Sequence, residues 1–98
     1  MITVYKFYAD WCQPCRAMAP TFEALQNDPR FENINFKQIN VDEGEDAHLA
    51  SEWKIRTIPT FVIADDQNKP VKRVSGSMPI DYLANFIKEG VELCQKQS

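Results

Sequence analysis

Apolar residues recur along this chain in two periods, and the switches between them mark the elements. Residues 2–9, Ile-Thr-Val-Tyr-Lys-Phe-Tyr-Ala, are rich in β-branched and aromatic types, with apolar residues in both alternation classes. That pattern predicts a strand buried on both faces, with Lys6 as the exception. From Gln13 or Pro14 to Gln26 the period becomes helical, with Met18, Phe22 and Leu25 on one face. Pro20 sits inside this helix, where it removes an intrahelical bond and opposes the Arg16 carbonyl, so a kink is expected. Asn27-Asp28-Pro29 ends it. Residues 33–41 predict a second strand. The acidic stretch Asp42–Asp46 is expected to open a short helix that faces Leu49, Ala50 and Trp53 inward and ends near Lys54. Thr60–Ala64 is an apolar third strand, and the turn-forming cluster Asp65–Lys69 predicts a hairpin into Val71–Ser75. A last helix runs from Pro79 or Ile80 to about Lys96, with Leu83, Ile87, Val91 and Cys94 on one stripe and Phe86 beside them.

The order is therefore β-α-β-α-β-β-α. Strand, helix and strand within the first 40 or so residues predict a parallel, right-handed βαβ unit. Helices on both faces of a four-stranded mixed sheet bury these elements economically. Ninety-eight residues suit a single domain, 1–98, and an apolar share of 44% is ordinary for a globular core.

Charge narrows the function. The net charge is −3, with 14 acidic and 11 basic residues interspersed, which gives no nucleic-acid footprint. No apolar run approaches the ~20 residues of a membrane helix. The first residues lack the basic and apolar segments of a secretory signal, so the expectation is a soluble cytoplasmic protein. Three cysteines are an odd number and do not resemble a secreted disulfide framework. Two of them lie in Trp11-Cys12-Gln13-Pro14-Cys15, and Cys94 is left over.

That pentapeptide carries the chemistry. A thiol in the first turn of a helix meets unpaired backbone N–H groups and the positive end of the helix dipole, both of which favour thiolate. A second thiol one turn on can reach back to the first. Taken alone, Cys-x-x-Cys is either a redox pair or half of a zinc site. A structural zinc site needs about four ligands, and only Cys94 and His48 remain, both distant in the expected layout. No metal is expected, and no bound cofactor beyond a redox-active disulfide.

Several stretches together resemble the thioredoxin family. Ala9-Asp10-Trp11-Cys12-Gln13-Pro14-Cys15-Arg16-Ala17-Met18-Ala19-Pro20 is similar to its active-site helix, internal proline included. Asn40-Val41-Asp42 resembles the end of its next strand. Trp53-Lys54-Ile55-Arg56-Thr57-Ile58-Pro59-Thr60 resembles its cis-proline segment, and Ser75-Gly76 its glycine loop. The resemblance implies a thioredoxin-like fold. It also implies three departures. Thioredoxins usually begin with an extra strand and helix, for which this chain has no room, so the 33–41 strand becomes a sheet edge. The family's buried first-strand aspartate is here Lys6, and a lysine that often partners it is Gln38. The Gly-Pro between the cysteines is here Gln13-Pro14.

The resemblance also assigns roles. Cys12 is the nucleophile and Cys15 the resolving thiol of a dithiol–disulfide cycle. Trp11, Gln13, Pro14, Thr57, Ile58, Pro59 and Gly76 form the substrate surface. A cis Ile58–Pro59 bond facing the cysteines would leave the Ile58 backbone free to pair with an extended substrate. A trans proline opening a strand is the plainer alternative. Trp11 is expected as a platform and Trp53 as core. Asp10 is expected to cap the turn or the helix start, with a role in proton traffic as the alternative. Cys94 reads as a small core hydrophobe, with a regulatory thiol as the alternative. Lys6 has two readings. It snorkels, its head escaping to water, or it lies beneath the disulfide and tunes the thiols.

The function implied is a thiol–disulfide oxidoreductase that reduces protein disulfides as a monomer. Electrons would come from a flavin-dependent reductase, since the chain has no Gly-rich nucleotide fingerprint of its own. A glutaredoxin-like, glutathione-coupled reductant is one alternative, against which the absence of Cys-Pro-Tyr-Cys counts. A non-catalytic partner-binding module on the same fold is the other.

Overall fold

A computed structural model describes residues 1–96. Its strands are β1 (Thr3–Tyr8), β2 (Asn35–Asn40), β3 (Thr60–Ala64) and β4 (Pro70–Ser75), and its helices α1 (Gln13–Gln26), α2 (His48–Glu52) and α3 (Ile80–Lys96). A 3₁₀ turn over Pro29–Phe31 precedes β2, its start capped by the Asp28 side chain. The sheet order is β2-β1-β3-β4. β1 pairs parallel with β2 and antiparallel with β3, and β3 pairs antiparallel with β4. The mixed four-stranded sheet agrees with the pattern in the sequence, and β2 lies at its edge, as the family resemblance implied.

The pleat of β1 divides the core. Val4 sits on one face with Phe61 and Ile63, packed against Met18, Phe22 and Leu25 of α1 and Leu83, Phe86 and Ile87 of α3. Tyr5 and Phe7 sit on the other with Ile39 and Val62, covered by Leu49 and Trp53 of the α2 segment. Both central strands are therefore clothed on both faces, which is why they lack a clean polar alternation. Trp53 meets Tyr5 and Phe7 edge-on, with ring centroids 5.2 Å and 6.0 Å apart. This geometry suits the aromatic quadrupole. Trp53 is core, as expected.

One element differs from the sequence pattern. The acidic residues Asp42–Asp46 form turns, and helix begins only at His48. Gly44 takes φ +106°, a conformation that interrupts any helical run there. Asp42 is also engaged on both sides, its N–H donating to Asn40 Oδ1 and its carboxylate accepting from Trp11. Acidic side chains that find local partners compete with the helix, and here they win. The far end lies where expected. Lys54 takes φ 56° just past α2, a left-handed stop, and Arg73 reaches across to donate to the Trp53 carbonyl at 2.6 Å.

β4 starts one residue earlier than expected, at Pro70. A proline is tolerated as the first residue of an edge strand. α1 runs from Gln13 to Gln26 through Pro20.

Candidate active site

The site forms where β1 hands over to α1. Ala9, Asp10 and Trp11 make the turn, closed by the Cys12 N–H donating to the Ala9 carbonyl at 3.1 Å. Cys12 is the N-cap of α1, with extended backbone, and its sulfur accepts from the Cys15 N–H at 3.3 Å. A cysteine sulfur thus takes the place usually held by a Ser or Asp oxygen. This corrects the expectation that Asp10 caps the helix. Asp10 is exposed one step too early, and it is its backbone carbonyl that is engaged, accepting from the Arg16 guanidinium at 2.8 Å. Pro14 is the second helical residue, where a missing N–H costs nothing.

Cys12 and Cys15 are joined as a disulfide, with Cα atoms 5.3 Å apart. Both are buried, Cys12 at 5% exposure and Cys15 at 1%. Cys15 is the deeper of the two. Around them pack Ala9, Tyr8, Val41 and Ile58.

Ile58–Pro59 is a cis peptide bond, as the family resemblance implied and as base frequency alone would not. The Cys12 sulfur lies 3.9 Å from the Ile58 carbonyl oxygen. Two further bonds hold this segment. The Gly76 N–H donates to the Pro59 carbonyl at 2.8 Å, and the Thr60 hydroxyl donates to the Thr57 carbonyl at 2.6 Å. Gly76 has φ +97°, and a methyl group there would meet nothing within 4 Å. Its glycine is therefore required by backbone conformation, and the space above it is open.

The surface around the sulfurs is laid out in three parts. Trp11 is 69% exposed, with its indole N–H donating to Asp42 at 2.8 Å. Gln13 and Pro14 are exposed on the helix start. Thr57 is exposed and Ile58 half-buried on the opposite side, above buried Pro59. Asp42 is the residue that sequence reasoning missed. Its signal was the Asn40-Val41-Asp42 turn at the end of β2, which read as an element boundary and not as a partner for Trp11.

Lys6 is 2% exposed, so almost all of its side chain is enclosed and its ammonium keeps only a sliver of contact with water. Its Nζ lies 5.6 Å from the centre of the Tyr8 ring and 6.0 Å from that of Phe22. Burial alone pushes its ammonium below the ordinary lysine range. Cys94 is buried in the larger core cluster. Burial, and then the Asp65 and Asp66 carboxylates, push its thiol up. A thiol held protonated in this way behaves as a core hydrophobe. His48 is exposed on α2, its Nδ1 3.0 Å from the Glu45 carbonyl. Among the described residues, no group of three or more His, Cys, Asp or Glu side chains could hold a metal ion.

Residues 1–89 match the family described as Thioredoxin. The chain belongs to the thioredoxin family. A thioredoxin of Mycoplasmoides gallisepticum is 34% identical over 85 residues, spanning 87% of this chain and 80% of that protein. The crystal structure of Malassezia sympodialis thioredoxin superposes with a TM-score of 0.77 at 30% identity, over 91% of this chain and 75% of that one. A mutant thioredoxin from Halobacterium salinarum gives 0.77 at 33% identity, over 90% and 73%. Proteins of this family are protein-disulfide oxidoreductases, and the bonded Cys12–Cys15 pair is the redox centre of this one. The thioredoxin fold accounts for the layout. Strand β1 delivers the cysteines to a helix start, and the loop before β3 brings the cis-proline segment to face them.

Proposed function

We propose that this thioredoxin works mainly as a reductant of protein disulfides. The observation that carries the reading is the setting of Cys12. It stands at the N-cap of α1, with the Ile58 carbonyl 3.9 Å from its sulfur and Cys15 buried one turn behind. Backbone N–H groups and the helix dipole favour its thiolate in the reduced protein. That thiolate attacks one sulfur of a substrate disulfide, forms a mixed disulfide and expels the first substrate thiolate. Cys15, deprotonated, attacks Cys12 and expels the second. The products are a reduced substrate, protonated by solvent, and the Cys12–Cys15 disulfide.

The substrate segment lies extended beside Ile58, pairing with its backbone as an added strand. Trp11, Gln13 and Pro14 contact it on one side, Thr57, Pro59 and Gly76 on the other. Pro14 stiffens the turn between the sulfurs. Recharging calls for a dithiol donor, most simply a flavin-dependent reductase, since the chain holds no Gly-rich nucleotide fingerprint. A reductant with a spare unpaired Cys94 suits the cytoplasm. The exposed large apolar side chains other than Met1 and Trp11 are Ile80, Tyr82 and Leu93, set towards the two ends of α3, a distribution that supports a monomer.

Equilibration with glutathione redox buffers tests the direction. The expected potential lies near about −270 mV, below the glutathione pools at about −220 to −260 mV. A value near about −120 mV would place the protein among disulfide-forming oxidants instead.

A further inference from the structure

A buried lysine lies on the strand that leads into the cysteine pair, and among the described residues no acid pairs with it. Lys6 shares its face of the sheet with Tyr8, two residues on, and that face is covered by α1 and α3. Its ammonium rests between the Tyr8 and Phe22 rings. Tyr8 in turn packs against the cluster of Ala9, Cys12 and Cys15. Tyr8 is therefore a neighbour shared by the amine and the cysteine cluster.

Among the described residues, no counter-charge stands against the ammonium. The register puts Gln38 of β2 and Phe61 of β3 beside Lys6. α3 meets this face through Leu83, Phe86 and Ile87. α1 brings Phe22, while its charged residues Arg16 and Glu23 are exposed and Arg16 is bound to the Asp10 carbonyl. Within the core on this side the titratable groups are the Tyr8 phenol and the Cys94 thiol, and Tyr8 also packs against the Cys12–Cys15 cluster.

We propose that Lys6 is a positioning residue for the redox pair, its ammonium favouring the thiolate form of reduced Cys12–Cys15. This rests on the reading of that pair as the centre of a disulfide reductant. The physics is that of an opposite charge in a poorly solvated site, where attraction is stronger than in water. In the disulfide state no anion is present and the ammonium is uncompensated. On reduction the donor's two thiols become its disulfide, supplying two electrons and two protons. The S–S bond breaks, Cys15 takes one proton and Cys12 remains thiolate. The second proton goes to Lys6 where its amine is neutral, and to water where it is already charged. Lys6 thus makes the disulfide easier to reduce and the thiol more acidic than either would be without it.

The test compares reduced wild type, Lys6→Met and Lys6→Arg by iodoacetamide alkylation of Cys12 across pH. Lys6→Met should shift the profile to higher pH and slow alkylation at pH 7 by about threefold to tenfold. Lys6→Arg should keep the wild-type profile. Superimposable profiles for wild type and a folded Lys6→Met would overturn the proposal. A readout that needs no variant is the titration of the Lys6 side chain by NMR in wild-type protein. By linkage its midpoint should be higher in the reduced than in the oxidised form, and equal midpoints would also overturn it. A wild-type potential on the oxidising side of glutathione would overturn the reductant reading, whereas the Lys6 comparison is a difference between variants and is judged separately.

Discussion

The indole N–H of Trp11 donates to the Asp42 carboxylate at 2.8 Å, tying the residue before the nucleophile to the turn after β2. Trp11 is largely exposed, so packing does little to hold it, and this bond is its chief restraint. Asp42→Ala should free the ring. An exposed hydrogen bond to a charged group contributes about 1 kcal/mol, near a fivefold effect on an equilibrium. The expected result is a two- to fivefold fall in kcat/KM for a protein disulfide, with stability changed by less than about 0.5 kcal/mol. Asp42→Asn keeps an acceptor and should recover most of the activity. An unaltered kcat/KM in Asp42→Ala would remove Trp11 from the substrate surface.

Cys15 is the more deeply buried sulfur, one helical turn behind Cys12. Cys15→Ser should leave the first attack intact and block the second. Incubated with a disulfide substrate, the variant should accumulate as a covalent adduct through Cys12, visible by mass spectrometry and released by dithiothreitol. Failure to trap any adduct would argue that Cys12 is not the attacking sulfur.

Lys6 makes stability depend on pH in a direction that can be worked out. Its folded-state pKa is lowered below the ordinary 10.5, so the unfolded chain binds more protons between the two values. Stability attributable to this group therefore rises with pH through that window. Oxidised Lys6→Met should be more stable than oxidised wild type at pH 7, by about 1–2 kcal/mol, the scale of relieving a costly buried polar group. The advantage should shrink as pH approaches 10.5, where unfolded lysine also loses its proton. Urea unfolding at several pH values measures it, and a difference that grows with pH would contradict the sign.

Gly90 places α3 against the sheet. A Cβ built there would stand 2.5 Å from Ile63 Cγ1 and 3.0 Å from both its Cβ and Cγ2. Ile63 is wholly buried and has nowhere to retreat. Gly90→Ala should cost about 1–3 kcal/mol through overpacking, although alanine is the better helix former by about 1 kcal/mol. A stabilised variant, read as a raised Tm, would mean that the helix can shift outward without penalty.

Much of this arrangement was legible in the chain because period and chemistry agreed. β1, α1, β3 and α3 carry strong apolar patterns and were placed within a residue or two. The Cys12–Cys15 pair was legible because a strand precedes it and a helix pattern follows. α2 was not, because Asp42–Asp46 has the composition of a helix start while its local hydrogen bonds and Gly44 favour turns. The helix cap was misassigned because Asp10 is a common capping type, whereas a cysteine sulfur rarely fills that position. The burial of Lys6 was open in the sequence for a physical reason. A lysine in an apolar strand either snorkels or is enclosed, and only the packing of Tyr8 and Phe22 around it decides which.

The central claim is that Cys12 and Cys15 cycle between dithiol and disulfide to reduce protein disulfides. The most direct measurement is the rate of insulin disulfide reduction by dithiothreitol with wild type and with Cys12→Ser. The account predicts marked acceleration by the wild type and only the background rate with Cys12→Ser. Full activity in Cys12→Ser would contradict it.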